Sequence, residues 1–224
     1  MNAAIQAICF KISQHPEVRG SSVTRSQIYE VIAALLGYAS HAALVTESKS
    51  QEHDYEFSDA EFIILNVPHG KLRAQKFSMS EDAFNCCITE IKAGLPIPVF
   101  ESLSVCYDYH LRELLAGVIY DEAEQSGEMA DSNAIYPDYP EMDDNIITSG
   151  DLWASVHEWT IEDTGTLTGE YDPEGDRIFN GNTLNVKGRL HFAKAGRAGL
   201  VHLSDEAEVS VSTDDSWRDY DLDF

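Results

Sequence analysis

Leu184-Asn185-Val186-Lys187-Gly188-Arg189-Leu190-His191-Phe192 alternates apolar or small residues with polar ones over its whole length. A period of two puts Leu184, Val186, Leu190 and Phe192 on one face and Asn185, Lys187, Arg189 and His191 on the other. That is the pattern of a half-buried strand. Asn180-Gly181-Asn182 before it is a hairpin-type turn. After it, Ala195-Gly196-Arg197-Ala198-Gly199 turns the chain into Leu200-Val201-His202-Leu203. Upstream, Val156, Trp159 and Ile161 lead into a strand at Thr166–Tyr171. The turn Asp172-Pro173-Glu174-Gly175-Asp176 and a short run Arg177-Ile178-Phe179 follow it. Glu208–Ser212 and Tyr220–Phe224 supply the last strands. Residues 152–224 are therefore expected to form an antiparallel β-meander, as a sandwich or an open barrel.

Working back from this β-rich end, the period changes to that of helices. Ala4, Ile5, Ile8, Cys9 and Ile12 share one helical face, which His15-Pro16 ends. Thr24-Arg25-Ser26-Gln27 has the form of a capping box, with the Gln27 side chain reaching back to Thr24. Ile28, Val31, Ile32, Leu35 and Leu36 continue as one stripe up to Gly37, and Ser40 caps a further short helix. Glu61–Val67 is a β-branched apolar run closed by Pro68-His69-Gly70, so it reads as a buried strand. Leu72–Phe77 follows as its partner strand or as a loop. Ser80 starts a helix that stops at Gly94. After a linker at Pro96 and Pro98, a third helix runs from about Glu101 to Gln125. The fold class expected is α+β: an N-terminal helical bundle with a mixed α/β middle, then the β-meander. The division is 1–125, mostly helical, with a small module at 1–50 and a strand plus two helices at 60–125. An acidic connector at 126–151 and a β-rich domain at 152–224 complete it.

Helix, tight turn and helix over residues 24–48 is also the spacing of a DNA-reading helix-turn-helix. The candidate recognition helix at 41–48 carries no Arg, Asn or Gln, the side chains that read bases, so a docking or structural module is favoured. Val23-Thr24-Arg25-Ser26-Gln27, Ala33-Ala34-Leu35-Leu36-Gly37-Tyr38 and Ala42-Ala43-Leu44 resemble the short helical domain of bacterial glyoxalase-superfamily-related proteins. The likeness spans about residues 20–48 and rests on helix caps and core positions. It implies a small accessory domain and brings no active-site residue.

Charge separates these parts. The chain has 15 basic and 39 acidic residues, a net of −24. Residues 1–50 carry +1, residues 51–118 carry −6, residues 119–151 carry −10 with no base at all, and residues 152–224 carry −9. An apolar content of 43% supports a buried core, so this is not a disordered acidic tract. The charge argues against direct nucleic-acid binding except through residues 1–50, where Lys11, Arg19, Arg25 and Lys49 are the candidate contacts. No apolar run has the length of a membrane span, and no basic stretch precedes the first apolar residues as in a secretory signal. Cys9, Cys86, Cys87 and Cys106 form no CxxC pair, and the histidines form no paired motif. Free thiols in a cytoplasmic protein, with no metal and no cofactor, are the expectation.

No catalytic motif stands out. Asp172, Glu174 and Asp176 alternate beside a glycine, yet the order and the distal Glu of a calcium loop are missing, so a turn is favoured. Glu158, Glu162 and Asp163 offer a carboxylate pair for acid–base work, but an acidic chain offers many. No P-loop, dinucleotide loop or G-x-S-x-G elbow is present. Tyr136, Tyr139 and Met142 sit among acids. They either pin the connector to a domain face or form an acidic-aromatic surface for a basic partner. The C-terminal run from Asp214 to Phe224 resembles the acidic, Phe-terminated tips by which bacterial single-stranded-DNA-binding proteins dock partners. Strand alternation explains the same run.

These readings lead to a non-enzymatic acidic interaction protein. Its partner is a basic protein that handles nucleic acid, met in the manner of an inhibitor or nucleic-acid mimic. The candidate contacts are Asp138, Glu141, Asp143, Asp144, Asp214, Asp215, Asp219, Asp221, Asp223 and Phe224. The alternatives are an adaptor that uses residues 1–50 and, third, a hydrolase without a recognisable motif. The oligomeric state is not legible in the sequence.

Overall fold

A computed structural model of the chain describes residues 2–49, 55–132, 134–172, 174 and 183–214. The fold is α+β, with helices and a mixed sheet of eight strands. The chain divides into two compact units. Unit 1 comprises Met1–Tyr107, Gly150–Trp159 and Phe192–His202; unit 2 comprises Asp108–Ser149, Thr160–His191 and Leu203–Phe224. These units do not follow a division at residues 125 and 151. Residues 126–151 are built into them through strand pairing, where the sequence suggested a connector. Among the described residues no helix is long and apolar enough to cross a membrane.

In unit 1, α1 (Asn2–Gln14), α2 (Pro16–Arg19), α3 (Arg25–Leu35) and α4 (His41–Glu47) follow the expected pattern. The Thr24 hydroxyl accepts from Gln27 N at 3.4 Å, and Gln27 Oε1 accepts from Thr24 N at 2.8 Å, so both halves of the capping box are made. Gly37 leaves α3 at φ +84°. A Cβ there would also lie 2.8 Å from the Trp153 ring, so both conformation and space require glycine. Strand β1 (Phe62–Ile64) is buried on both faces. The next segment is a helix: α5 spans Val67–Lys76, which corrects the expected strand or loop at Leu72–Phe77. Asn66 caps it by accepting from His69 N, and Pro68 lies in its first turn, where a missing N–H costs nothing. Helix α6 (Glu81–Gly94) leads to β2 (Val99–Phe100), a strand hidden in the proline-marked segment, which pairs parallel with β1. Helix α7 (Leu103–Cys106) follows. Helix α1 packs on α3 and α6, and α3 on α5, burying Ile8, Ile12, Ile28, Ile32, Leu35, Phe84 and Ile91 in one core.

Residues 103–124 stay helical, but not as one α-helix. A π-helical turn at Tyr107–Leu111 precedes α8 (Arg112–Glu124). Unit 2 then adds α9 (Gly127–Asp131), β3 (Ala134–Ile135), β4 (Glu141–Met142) and β5 (Ile147–Thr148). The remaining strands are β6 (Glu158–Thr168), β7 (Glu170–Tyr171), β8 (Thr183–Ala195), β9 (Gly199–His202) and β10 (Glu208–Thr213). Strands β6 and β8 contribute residues to both units. In unit 1, β9 pairs antiparallel with β8 and with β1. In unit 2, β10 pairs antiparallel with β8, β4 and β5 pair antiparallel with β6, and β3 makes a two-stranded ribbon with β7. The C-terminal strands are antiparallel, but β10 returns to β8 instead of continuing from β9. The turn at residues 175–182 and the strand at 220–224 lie outside the described residues.

Strand β8 buries Leu184, Val186, Leu190 and Phe192 and leaves Asn185 and Lys187 exposed, as its alternation requires. Gly188 occupies an inward position. A Cβ there would meet Ile119 Cγ1 at 2.6 Å and Leu115 Cδ1 at 2.8 Å, because α8 packs closely on the strand. Gly188→Val would complete the apolar alternation, yet it should destabilise the protein by about 1–3 kcal/mol through overpacking. A lowered urea midpoint at unchanged slope would show this. An unchanged or raised midpoint would mean that α8 moves away at no cost.

Candidate functional site

The acidity is concentrated. Unit 1 carries 10 basic and 14 acidic residues, a net of −4, and unit 2 carries 5 and 25, a net of −20. The described bases of unit 2 are used internally. Arg112 Nη2 reaches Asp108 Oδ1 at 3.0 Å and Asp144 Oδ1 at 2.7 Å. Lys187 Nζ reaches Glu162 Oε1 at 2.7 Å, and Arg189 bridges Glu162 and Glu208, both at 2.7 Å. Hydrogen bonds from Lys187 and Arg189 hold the Glu162 carboxyl below the ordinary carboxylate range. Asp163 Oδ1 accepts from Asn145 N and Thr164 N. Glu162 and Asp163 are both buried and serve as ties within the unit.

Among the described residues, two concave features lie where the π-helical turn and α8 meet the segment around β4. One concavity of about 420 Å³ has Ala116, Pro140 and Met142 among its lining residues, with Asp108, Glu113, Glu141 and Asp144 around them. A second, of about 410 Å³, lies along α8 and includes His110, Glu113 and Asp121. Tyr139 lines both, and the residue is 66% exposed. Its ring meets Tyr120 edge-on, with centroids 5.2 Å apart. Partial burial, and then the charges of Glu124 and Asp138, raise the Tyr120 hydroxyl above the ordinary phenol range.

Two backbone features shape this place. Glycine at 165 lets β4 approach β6; a Cβ there would lie 2.4 Å from the Glu141 carbonyl oxygen. Asp144 has φ +60°, left-handed and uncommon outside glycine, and its carboxylate receives the Arg112 guanidinium.

The structure thus brings Glu141 and Asp144 to one concavity. Asp143, beside them, accepts from Thr164 Oγ1 at 2.5 Å, so its carboxylate ties the chain to β6. Asp138 is exposed next to Tyr139. Asp214 closes β10, donating its amide to Thr183 O. Asp215, Asp219, Asp221, Asp223 and Phe224 lie outside the described residues. The three central side chains divide: Tyr136 is 6% exposed and Met142 is buried, while Tyr139 faces solvent. Asp108, His110, Arg112 and Glu113 were missed by the sequence reading. Asp108–Arg112 is an i,i+4 pair and was visible as such, but its position beside β4 was not.

The candidate nucleic-acid contacts lie on three separate helices and the turn after a fourth. Lys11 is on α1, Arg19 ends α2, Arg25 opens α3 and Lys49 follows α4. The Arg25 guanidinium sits 5.8 Å from the centroids of both Phe10 and Tyr29. The four cysteines are buried without disulfides, and burial pushes Cys9 and Cys87 up to about 12, so these thiols stay protonated. No protein-family model, curated protein or solved structure matches the chain.

Unit 1 holds a buried lysine. Lys194 is 2% exposed, and its Nζ donates to Leu152 O at 3.1 Å and Arg197 O at 2.7 Å. Glu47, Arg197 and Asp151 are the charges near it. Burial lowers its pKa from 10.5 to about 7. A neutral amine has two N–H donors, which matches the two carbonyls. Between pH 7 and 10.5 the unfolded chain holds a proton that the folded chain has released. Stability from this group therefore rises with pH across that window and is flat below it. Lys194→Met should remove this rise. Urea midpoints measured against pH for both proteins check it, and parallel curves would mean that Lys194 stays charged when buried.

Proposed function

We propose that the protein is a non-enzymatic interaction protein whose unit 2 docks on a basic protein that handles nucleic acid, as an inhibitor or nucleic-acid mimic. The observation that carries this reading is the confinement of charge: −20 of the −24 falls within the residues of one unit. The described bases of that unit are engaged by its own carboxylates, so its described carboxylates are left in excess. Such a field attracts cationic surfaces over a screening length of about 8 Å at physiological salt and speeds encounter. The exposed Tyr139 ring, between two carboxylate-bearing concavities, adds the aromatic anchor that interfaces favour. Glu162 and Asp163, the carboxylates best buried for acid–base chemistry, are committed to Lys187, Arg189 and backbone amides, which favours binding over catalysis.

The test is a pull-down with the tagged full chain from host lysate, with and without nuclease, at low and high salt. The expected result is a basic, nucleic-acid-handling protein that is retained after nuclease. It is released near 1 M salt, where the screening length falls to about 3 Å. A partner lost with nuclease would support the adaptor reading instead. Retention that does not depend on salt would overturn the electrostatic reading.

A further inference from the structure

We propose that the paired concavities flanking Tyr139 receive arginine side chains of an extended segment of the partner. This rests on the reading of unit 2 as the docking unit and adds the chemistry of what it grips. The first concavity has an apolar lining of Ala116, Pro140 and Met142, with carboxylates of Glu113 and Glu141 beside it. An arginine matches that combination: its methylene stem lies on apolar surface while its guanidinium reaches the carboxylates.

The chain itself shows how a guanidinium is held there. Arg112 Nη2 lies between Asp108 Oδ1 and Asp144 Oδ1, at 3.0 and 2.7 Å. The backbone at Asp144 is left-handed at the point where that carboxylate meets it. After Arg112 is counted, the first concavity keeps an excess of three carboxylates, and the second has Glu113 and Asp121. Tyr139 belongs to both linings and meets Tyr120 edge-on, so one ring with exposed surface borders both concavities. A planar guanidinium stacks on such a ring and binds carboxylates in a fork, whereas an ammonium is a compact, strongly hydrated point charge. The site therefore selects arginine over lysine, which bulk negative charge alone does not do.

The test uses the full chain and two fluorescent peptides of equal length, oligo-arginine and oligo-lysine, titrated at low and moderate salt. The wild type should bind oligo-arginine tighter than oligo-lysine by about threefold or more, the scale of an exposed cation–π contact. Tyr139→Ala, which leaves net charge unchanged, should bind both peptides equally, while Tyr139→Phe should keep the preference. Glu113→Gln, in both linings, should weaken oligo-arginine binding more than Glu128→Gln, which lines neither. Far-UV circular dichroism confirms that each variant is folded. If the wild type binds both peptides without preference, or Tyr139→Ala keeps the preference, the concavities are not the grip, and the docking role of unit 2 stands. If the wild type binds neither peptide at low salt, the docking role itself fails.

Discussion

Like-charge repulsion among the 25 acidic residues of unit 2 is the constraint that the rest of this structure answers to. Charge of one sign disfavours compactness, and only five bases are available to offset it. The described ones are spent where they tie elements together. Lys187 and Arg189 of β8 meet Glu162 of β6, Arg189 also reaches Glu208 of β10, and Arg112 of α8 joins the π-helical turn to Asp144. Backbone amides do the same for Asp163. The acids that meet these bases thus tie the elements of unit 2 together.

Close backbone approach is the second condition. Glycine at 188 admits the α8 side chains Leu115 and Ile119, and glycine at 165 admits the β4 carbonyl. Together these place α8 and the residue 139–144 segment where their side chains share two concavities. The π-helical turn adds its own offset. It breaks the α-helical register just before Arg112.

Unit 1 solves a different problem. Its core is apolar, and its one buried lysine is satisfied by carbonyls and not by a carboxylate. Around it, Arg197 is held by Glu47, by the Trp153 carbonyl and by the face of Tyr38, and Tyr38 donates to Glu47 at 2.9 Å. This polar network ties the β8–β9 hairpin and the segment containing Trp153 to the helices of unit 1.

The sequence by itself determined the local elements whose causes are local. The capping box at Thr24, the serine caps at Ser40 and Ser80, the stripe of α3 and the alternation of β8 all depend on spacing within a dozen residues, and all are present. Net charge and its uneven distribution along the chain were equally legible. Misreadings arose where distant partners decide. One exception is local: Pro68-His69-Gly70 reads as a turn closing the run Glu61–Val67, and in the fold it lies in the first turn of α5, which Asn66 caps. The stretch 126–151 lacks any strong period, because its short strands exist only through pairing with β6 and β7. Of the candidate site, Glu141 and Asp144 were named from their acidic run, but Asp108 and Glu113 lie some thirty residues earlier in the chain and join them only when α8 packs beside β4. Whether Tyr136 or Tyr139 would face outward also required the tertiary structure. Burial is set by what a residue packs against, and no pattern in so irregular a segment encodes it.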